Sequence, residues 1–540
     1  MNYRRRSFIK RFTLAGVSFS LPHWAHAAEQ LVADATSDAE QRIVTISLDP
    51  EPAVLSAFAN TGGTTVLVSP KVLEGLLEYD HELNPAAQLA TDWSISDDGL
   101  TYDFQLRPNV RWHDGAPFTA QDVAFSLQAA KKFHPRGSNT FAQLNDIEVV
   151  SDHHLRLHLE EPAPYMILAL SAAETPILPA HLYDLDTALK NPLNNAPIGT
   201  GPYLFKEWQQ GSHIIYERND DYWQEGLPEV DQLIFRVLPD SSSRLNGLQN
   251  GQIDIGPRNP IALSEIPLVE KSDHLDFTTR GFEDNANIAM LEFNLDNPLM
   301  AQPEVRKAIA HALNREQIQK IAFYGYAEPV IAPISKRNFP DFHLDAENPY
   351  PFDVDRANQI LDDLGYERQS DGHRFTLNLH ANPFTPGYKR TAAYVRSALA
   401  RIGIQAVLHD EDPGSFIRSV YNNRDFDITV SGVSTMFDPT VGLQRVYYSK
   451  SFNPEVPFSN ATHYHNPEVD RLLEAAAIEH DREKRAQLFK DFQKIVLDEI
   501  PSIPLVQLSN VIVYNTRVDG FADTAAGLRG NLADLRIKSE

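Results

Sequence analysis

Cysteine is absent from the 540 residues. That excludes disulfides and any thiolate metal site, so stability must come from packing over a large core. Long apolar runs are lacking too. Past the N-terminus no stretch reaches the roughly 18 to 20 apolar residues that a membrane helix needs, and the sequence reads as that of a soluble protein. Positive charge is scarce: 48 Lys and Arg stand against 73 Asp and Glu, a formal net charge of −25. Such a chain is repelled by nucleic acid and by anionic lipid headgroups. Catalytic motifs are missing as well. There is no Gly-x-Ser-x-Gly elbow, no His-Glu-x-x-His helix, no phosphate loop and no Gly-x-Gly-x-x-Gly turn. His81-Glu82 leads into Leu83-Asn84-Pro85, which has no second histidine and cannot stay helical. His463 and His465 flank Tyr464 in a loop, where they read as surface or packing residues and not as metal ligands. No cofactor is implied, and an enzyme is disfavoured.

The N-terminus is distinctive. Arg5-Arg6-Ser7-Phe8-Ile9-Lys10, a mild stretch from Phe12 to Leu21 and Ala25-His26-Ala27 form the three parts of a twin-arginine export signal. Residues 1–27 are expected to be cleaved, residues 28–41 to be a disordered leader, and the protein to act in the periplasm. Cleavage would make the chain more acidic still, because Arg4, Arg5, Arg6, Lys10 and Arg11 leave with no acid.

At this length two or three structural units are expected. Arg42 to Leu48 alternates and is β-branched, so it reads as a strand. Leu100 to Leu106 and Val110 to Trp112 read as two strands around a turn, and 153–160 as another strand. Thr119 caps a helix whose first turn carries Asp122. Gly199-Thr200-Gly201-Pro202 reads as a tight turn. Strands are expected at 214–218 and 233–237, then a helix from Ser241 to Asn250 ended by Gly251. The second half begins with a strand at 288–294. Helices follow at 303–312, 315–323 and 353–364. Strand 375–380, helix 391–402 and strand 404–409 then form a β-α-β run, and one long helical stretch runs from Asn466-Pro467 to Glu499. The pattern is that of an α/β protein with several lobes.

Several stretches in order carry a resemblance. They include Gly75-Leu76-Leu77-Glu78-Tyr79-Asp80, Asp98-Gly99-Leu100-Thr101-Tyr102-Asp103-Phe104, Trp112-His113-Asp114-Gly115 and Gly199-Thr200-Gly201-Pro202-Tyr203. Further on stand Glu217-Arg218-Asn219-Asp220-Asp221-Tyr222-Trp223, Leu248-Gln249-Asn250-Gly251-Gln252-Ile253-Asp254 and Val305-Arg306-Lys307-Ala308-Ile309. Over nearly the whole mature chain this resembles the family 5 extracellular solute-binding proteins, the dipeptide, oligopeptide and nickel receptors of ABC importers. The resemblance implies a periplasmic binding protein-like fold of class II, cluster C type, with two hinged lobes and an extra third lobe. Mapped by motif, 42–75, 198–283 and 506–540 would form lobe I, 76–197 the extra lobe and 284–505 the second ligand lobe. It implies a soluble monomer that carries a small solute to a permease with ATPase subunits. Most of the shared motifs are expected to be scaffold, among them Gly199, Gly201 and the pair Tyr222-Trp223.

The resemblance also locates the site. Peptide receptors of the family often carry Gly-Trp-x-x-Asp-Tyr-x-Asp-Pro, whose first Asp pairs with the peptide ammonium. This chain has Gly432-Val433-Ser434-Thr435-Met436-Phe437-Asp438-Pro439, which keeps the second Asp and lacks the first. Ser434, Thr435, Met436, Phe437 and Asp438 are the candidate contacts there, with Asp438 equally suited to capping the following turn. Arg445 is a candidate carboxylate clamp, against a structural ion pair. Thr64 and Thr65, in the polar loop from Asn60, are candidate contacts of lobe I. The solute read from this is peptide-like; an oligosaccharide, an opine-like conjugate or a metal chelate is the alternative. An exported hydrolase, or a periplasmic chaperone or signalling receptor, is the alternative of another class.

Overall fold

The computed structural model describes residues 41–538. The expected signal peptide, and the expected leader up to residue 40, lie outside them. From Arg42 onward the chain is one unit, built on three main sheets. The first has seven strands in the spatial order Leu275–Thr278, Ile512–Asn515, Ile255–Gly256, Ile43–Leu48, Gln232–Val237, His213–Arg218 and Tyr203–Gln209. Its centre is the strand foreseen at 42–48, which pairs in parallel with 232–237 and 255–256. Val44, Ile46 and Leu48 are fully buried there with Leu233, Phe235 and Tyr216.

The second sheet has six strands, in the order Ala327–Pro329, Ser502–Leu508, Asn287–Phe293, Ile428–Ser434, Phe375–Ala381 and Ile404–His409. The β-α-β run is parallel as expected. Its helix, Pro386–Arg401, begins earlier than the apolar periodicity indicated, because Pro386 fits the first turn, where its missing N–H costs nothing. The strand Ser502–Leu508 lies wholly in this sheet, so the second sheet extends past residue 505.

The third sheet is antiparallel, in the order Ala90–Ile95, Thr101–Leu106, His154–Leu159 and Leu144–Ser151. Thr119 and Asp122 form the anticipated capping box of helix Ala120–Phe133, which packs beside it. Two local readings fail. Val110–Trp112 is not a strand and makes only a bridge from Arg111 to Pro117; Trp112 is buried through its loop, with Nε1 donating to Asp122. The long helical stretch is two helices, Pro467–Ile478 and Arg482–Glu499. The break comes at Asp481, whose carboxylate accepts the amides of Glu483 and Lys484 and so starts a new helix.

The chain passes between the first and second sheets twice, through residues 279–286 and 509–511. A buried carboxylate ties the region near the third sheet together. Glu74 accepts bonds from Thr200, Tyr222, Trp223 and Asn531. This accounts for the Tyr222-Trp223 pair as scaffold.

Candidate functional site

Where the three sheets converge, the chain leaves a cavity of about 530 Å3. This is within the roughly 300–1,000 Å3 of small-molecule sites. One wall is the loop after the central strand, Asp49 to Ala53, and the polar loop Asn60 to Leu67. Pro257 to Pro260 forms another part of that wall. Arg136 and Glu174 face it from the side of the third sheet. Phe282 and Asn285 of the first crossing segment, and Met436 beyond the end of the second sheet, close it.

The loop 434–438 is set by its neighbours on both sides. Ser434 Oγ donates to Asn285 Oδ1 at 2.5 Å and accepts from the Met436 amide. The Thr435 amide donates to the Ala286 carbonyl at 3.0 Å. Helix Pro439–Tyr447 lies hard against the strand end, since a Cβ on Gly442 would sit 2.2 Å from the Ser434 carbonyl oxygen. The loop is thereby pinned to a crossing segment, and Met436 takes a left-handed backbone, φ 53°, that delivers its side chain to the cavity wall.

Among the sequence candidates, Thr64, Thr65 and Met436 line the cavity. Thr65 is buried, with its hydroxyl donating to the Val54 carbonyl. Ser434 and Thr435 lie behind Met436, engaged as described. Phe437 packs into the core of the third sheet. Asp438 does not face the cavity: it caps the helix at Thr440, and Arg485 grips it with two hydrogen bonds of 2.9 and 2.7 Å. Its carboxylate is fully buried and already partnered, which leaves no acceptor for a solute ammonium. Arg445 is not a lining residue either. Its Nε donates to the Phe458 carbonyl at 2.7 Å, and it stands near the buried Glu292. His463 hydrogen-bonds Asp296 and stacks on Phe452. Among the described residues no group of three or more His, Asp or Glu is arranged to hold a metal ion.

Sequence reasoning missed the cations. Arg136, Arg244, Arg258 and Arg529 all line the cavity. Arg136 forms a two-pronged pair with Glu174, at 3.0 and 2.6 Å. Arg244 pairs with Asp49 at 2.9 Å and donates to the Leu238 and Pro260 carbonyls. Arg529 pairs with Asp284. Glu51 takes the Trp208 indole and the Gly211 amide on one oxygen. Only one of these arginines stood in a segment with a readable signal: Arg258, between two prolines in Gly256-Pro257-Arg258-Asn259-Pro260.

The family model for the middle part of the bacterial extracellular solute-binding proteins, family 5, matches residues 84–454. The chain belongs to this family. It has the class II periplasmic binding protein fold. The glutathione-binding protein GsiB of Salmonella paratyphi A is 28% identical over 84% of this chain and 86% of its own length. The crystal structure of NikZ from Campylobacter jejuni, in complex with Ni(L-His), is 27% identical with a TM-score of 0.77, covering 92% of this chain and all of that one. The oligopeptide-binding protein AppA of Bacillus subtilis, in complex with a nonapeptide, shares the fold at 24% identity and a TM-score of 0.75, covering 93% of this chain and all of its own.

Proposed function

We propose that this protein is the solute-binding subunit of an ABC importer, and that it holds a peptide-like solute in the cavity between its sheets for delivery to an inner-membrane permease driven by ATPase subunits. The three sheets are read as the cores of lobe I, the second ligand lobe and the extra lobe, and the two crossing segments as the hinge. The observation that carries this reading is the position of the cavity, at the junction of two sheets joined by just two strands of chain. Closure about such a hinge buries a solute, and the solute shifts the balance only through its better fit to the closed form. Pinning of Ser434 and Thr435 to Asn285 and Ala286 couples the cavity wall to a crossing segment. The family supports transport over catalysis, and the relatives named for glutathione and for a nonapeptide support a peptide-like solute. The basic N-terminal segment supports export by the twin-arginine route to the periplasm. Among the described residues no helix is long and apolar enough to cross a membrane.

Native mass spectrometry of the protein purified from the periplasm tests this. A discrete excess mass that disappears on denaturation, with a value fitting a peptide, is the expected result. An excess fitting a sugar or a metal complex would replace the ligand class and keep the transport role. Turnover of a peptide or glycoside by the pure protein would overturn it in favour of a hydrolase.

A further inference from the structure

The charged groups that line the cavity do not cancel locally. Arg136, Arg244 and Arg529 each have a carboxylate partner, in Glu174, Asp49 and Asp284. Arg258 has neither an ion-pair nor a hydrogen-bond partner among the described residues, yet it is a lining residue whose side chain is exposed to the cavity. The protein around it, and then the Arg529 guanidinium nearby, push its pKa down. The loop is shaped to present it. Arg258 and Asn259 are both left-handed, φ 48° and 57°, between Pro257 and Pro260. Such a backbone is strained at arginine and milder at asparagine. Position 63 is the matching hollow: a Cβ there would lie 3.0 Å from Arg258 Nη1, so the missing side chain of Gly63 leaves room for the guanidinium.

A solute that fills the cavity displaces water from this exposed guanidinium, and a charge left there without a counter-charge is costly. A planar carboxylate relieves that cost with two parallel hydrogen bonds. None of the lining carboxylates is turned to this task, since each already accepts from another group. We propose that Arg258 is the anchor for a free carboxylate of the solute, so that the site selects small solutes bearing an unblocked carboxyl group and rejects their amides and neutral sugars. This rests on the solute-binding reading above and narrows it.

The test uses the mature protein and three probe pools: free tripeptides with glutathione, the same peptides as C-terminal amides with glutathione diethyl ester, and neutral oligosaccharides. Thermal shift identifies the best binder and calorimetry measures it. The expected result is stabilisation by the free acids alone, with R258Q binding the best of them at least tenfold more weakly while its ligand-free melting temperature is kept. R258K should recover part of the affinity, keeping the charge without the fork. Equal binding of the blocked pool, or R258Q binding within twofold of wild type, would overturn the inference and leave the transport reading intact. So would stabilisation by a neutral oligosaccharide pool alone. No stabilisation by acids, amides or sugars would overturn the transport reading itself, and this inference with it.

Discussion

Glu292 stands on the central strand Asn287–Phe293 of the second sheet, fully enclosed, with Arg445 near it. Burial raises its carboxyl from the ordinary 4.5 to about 7, and the Arg445 guanidinium pulls the other way. A carboxyl raised on folding favours the native state less as pH climbs. Unfolding releases the proton more readily, so stability falls between about pH 4.5 and 7 and is level above. Glu292→Gln removes this loss. Urea melts should show the variant gaining on the order of 1–3 kcal/mol over wild type at pH 8 and much less at pH 4.5. The same difference at both values would mean that desolvation is not the cause. Asp438 shows the opposite arrangement of a buried acid. Its two bonds from Arg485, and its cap on Thr440, keep a charge satisfied deep in the fold. Of the two readings open for Asp438, ligand contact and cap, the structure places it as the cap, because a second residue, 47 positions on, claims the carboxylate.

At the scale of elements, the segment Gly199-Thr200-Gly201-Pro202 is informative. It was expected to be a turn that needs glycine for its backbone freedom. The reason for the glycines is a close approach instead. A Cβ on Gly199 would sit 1.7 Å from the Val72 carbonyl oxygen, and one on Gly201 2.7 Å from those of Lys71 and Val72. Gly199→Ala should therefore cost about 3 kcal/mol or more in chemical denaturation, or prevent folding. Gly211→Ala is the control. It has a left-handed φ of 75° and open space around it, so it should lose only about 1 kcal/mol. Similar losses at the two sites would show that backbone freedom and not packing governs Gly199. The split of the last long helix belongs to the same scale. Both halves are rich in good helix formers, and the side chain of Asp481, turned onto the amides ahead of it, sets where the second begins.

For the whole molecule, the two crossing segments predict a shape change. Solution scattering of the ligand-free protein and of the protein saturated with its solute should show a smaller radius of gyration when the cavity is filled. An unchanged radius, with binding verified, would mean that the cavity is filled without closure. The structure also shows why the arginine lining was hidden. Arg136, Arg258 and Arg529 come from parts of the chain more than 100 residues apart, and apart from the prolines around Arg258 nothing local marks them. Of the residues singled out beforehand, Thr64, Thr65 and Met436 reach the cavity; they were named from the family resemblance, and the strand Ile428–Ser434 that leads to Met436 was not read from the sequence.

The sequence by itself determined the elements whose cause is local. These are the alternating central strand at 43–48, the Thr119 and Asp122 capping box, the helix end at Gly251, and the ordered motifs that mark the family. Period and capping act over a few residues and leave their mark in order along the chain. Only the tertiary structure decided which charges meet. Asp438 was taken by Arg485 and Arg445 by the 457–458 loop, while Arg258 was left facing the cavity with no carboxylate of its own among the described residues. Ion pairing depends on distance in space, and in a chain that crosses twice between sheets that distance bears no relation to position in the sequence.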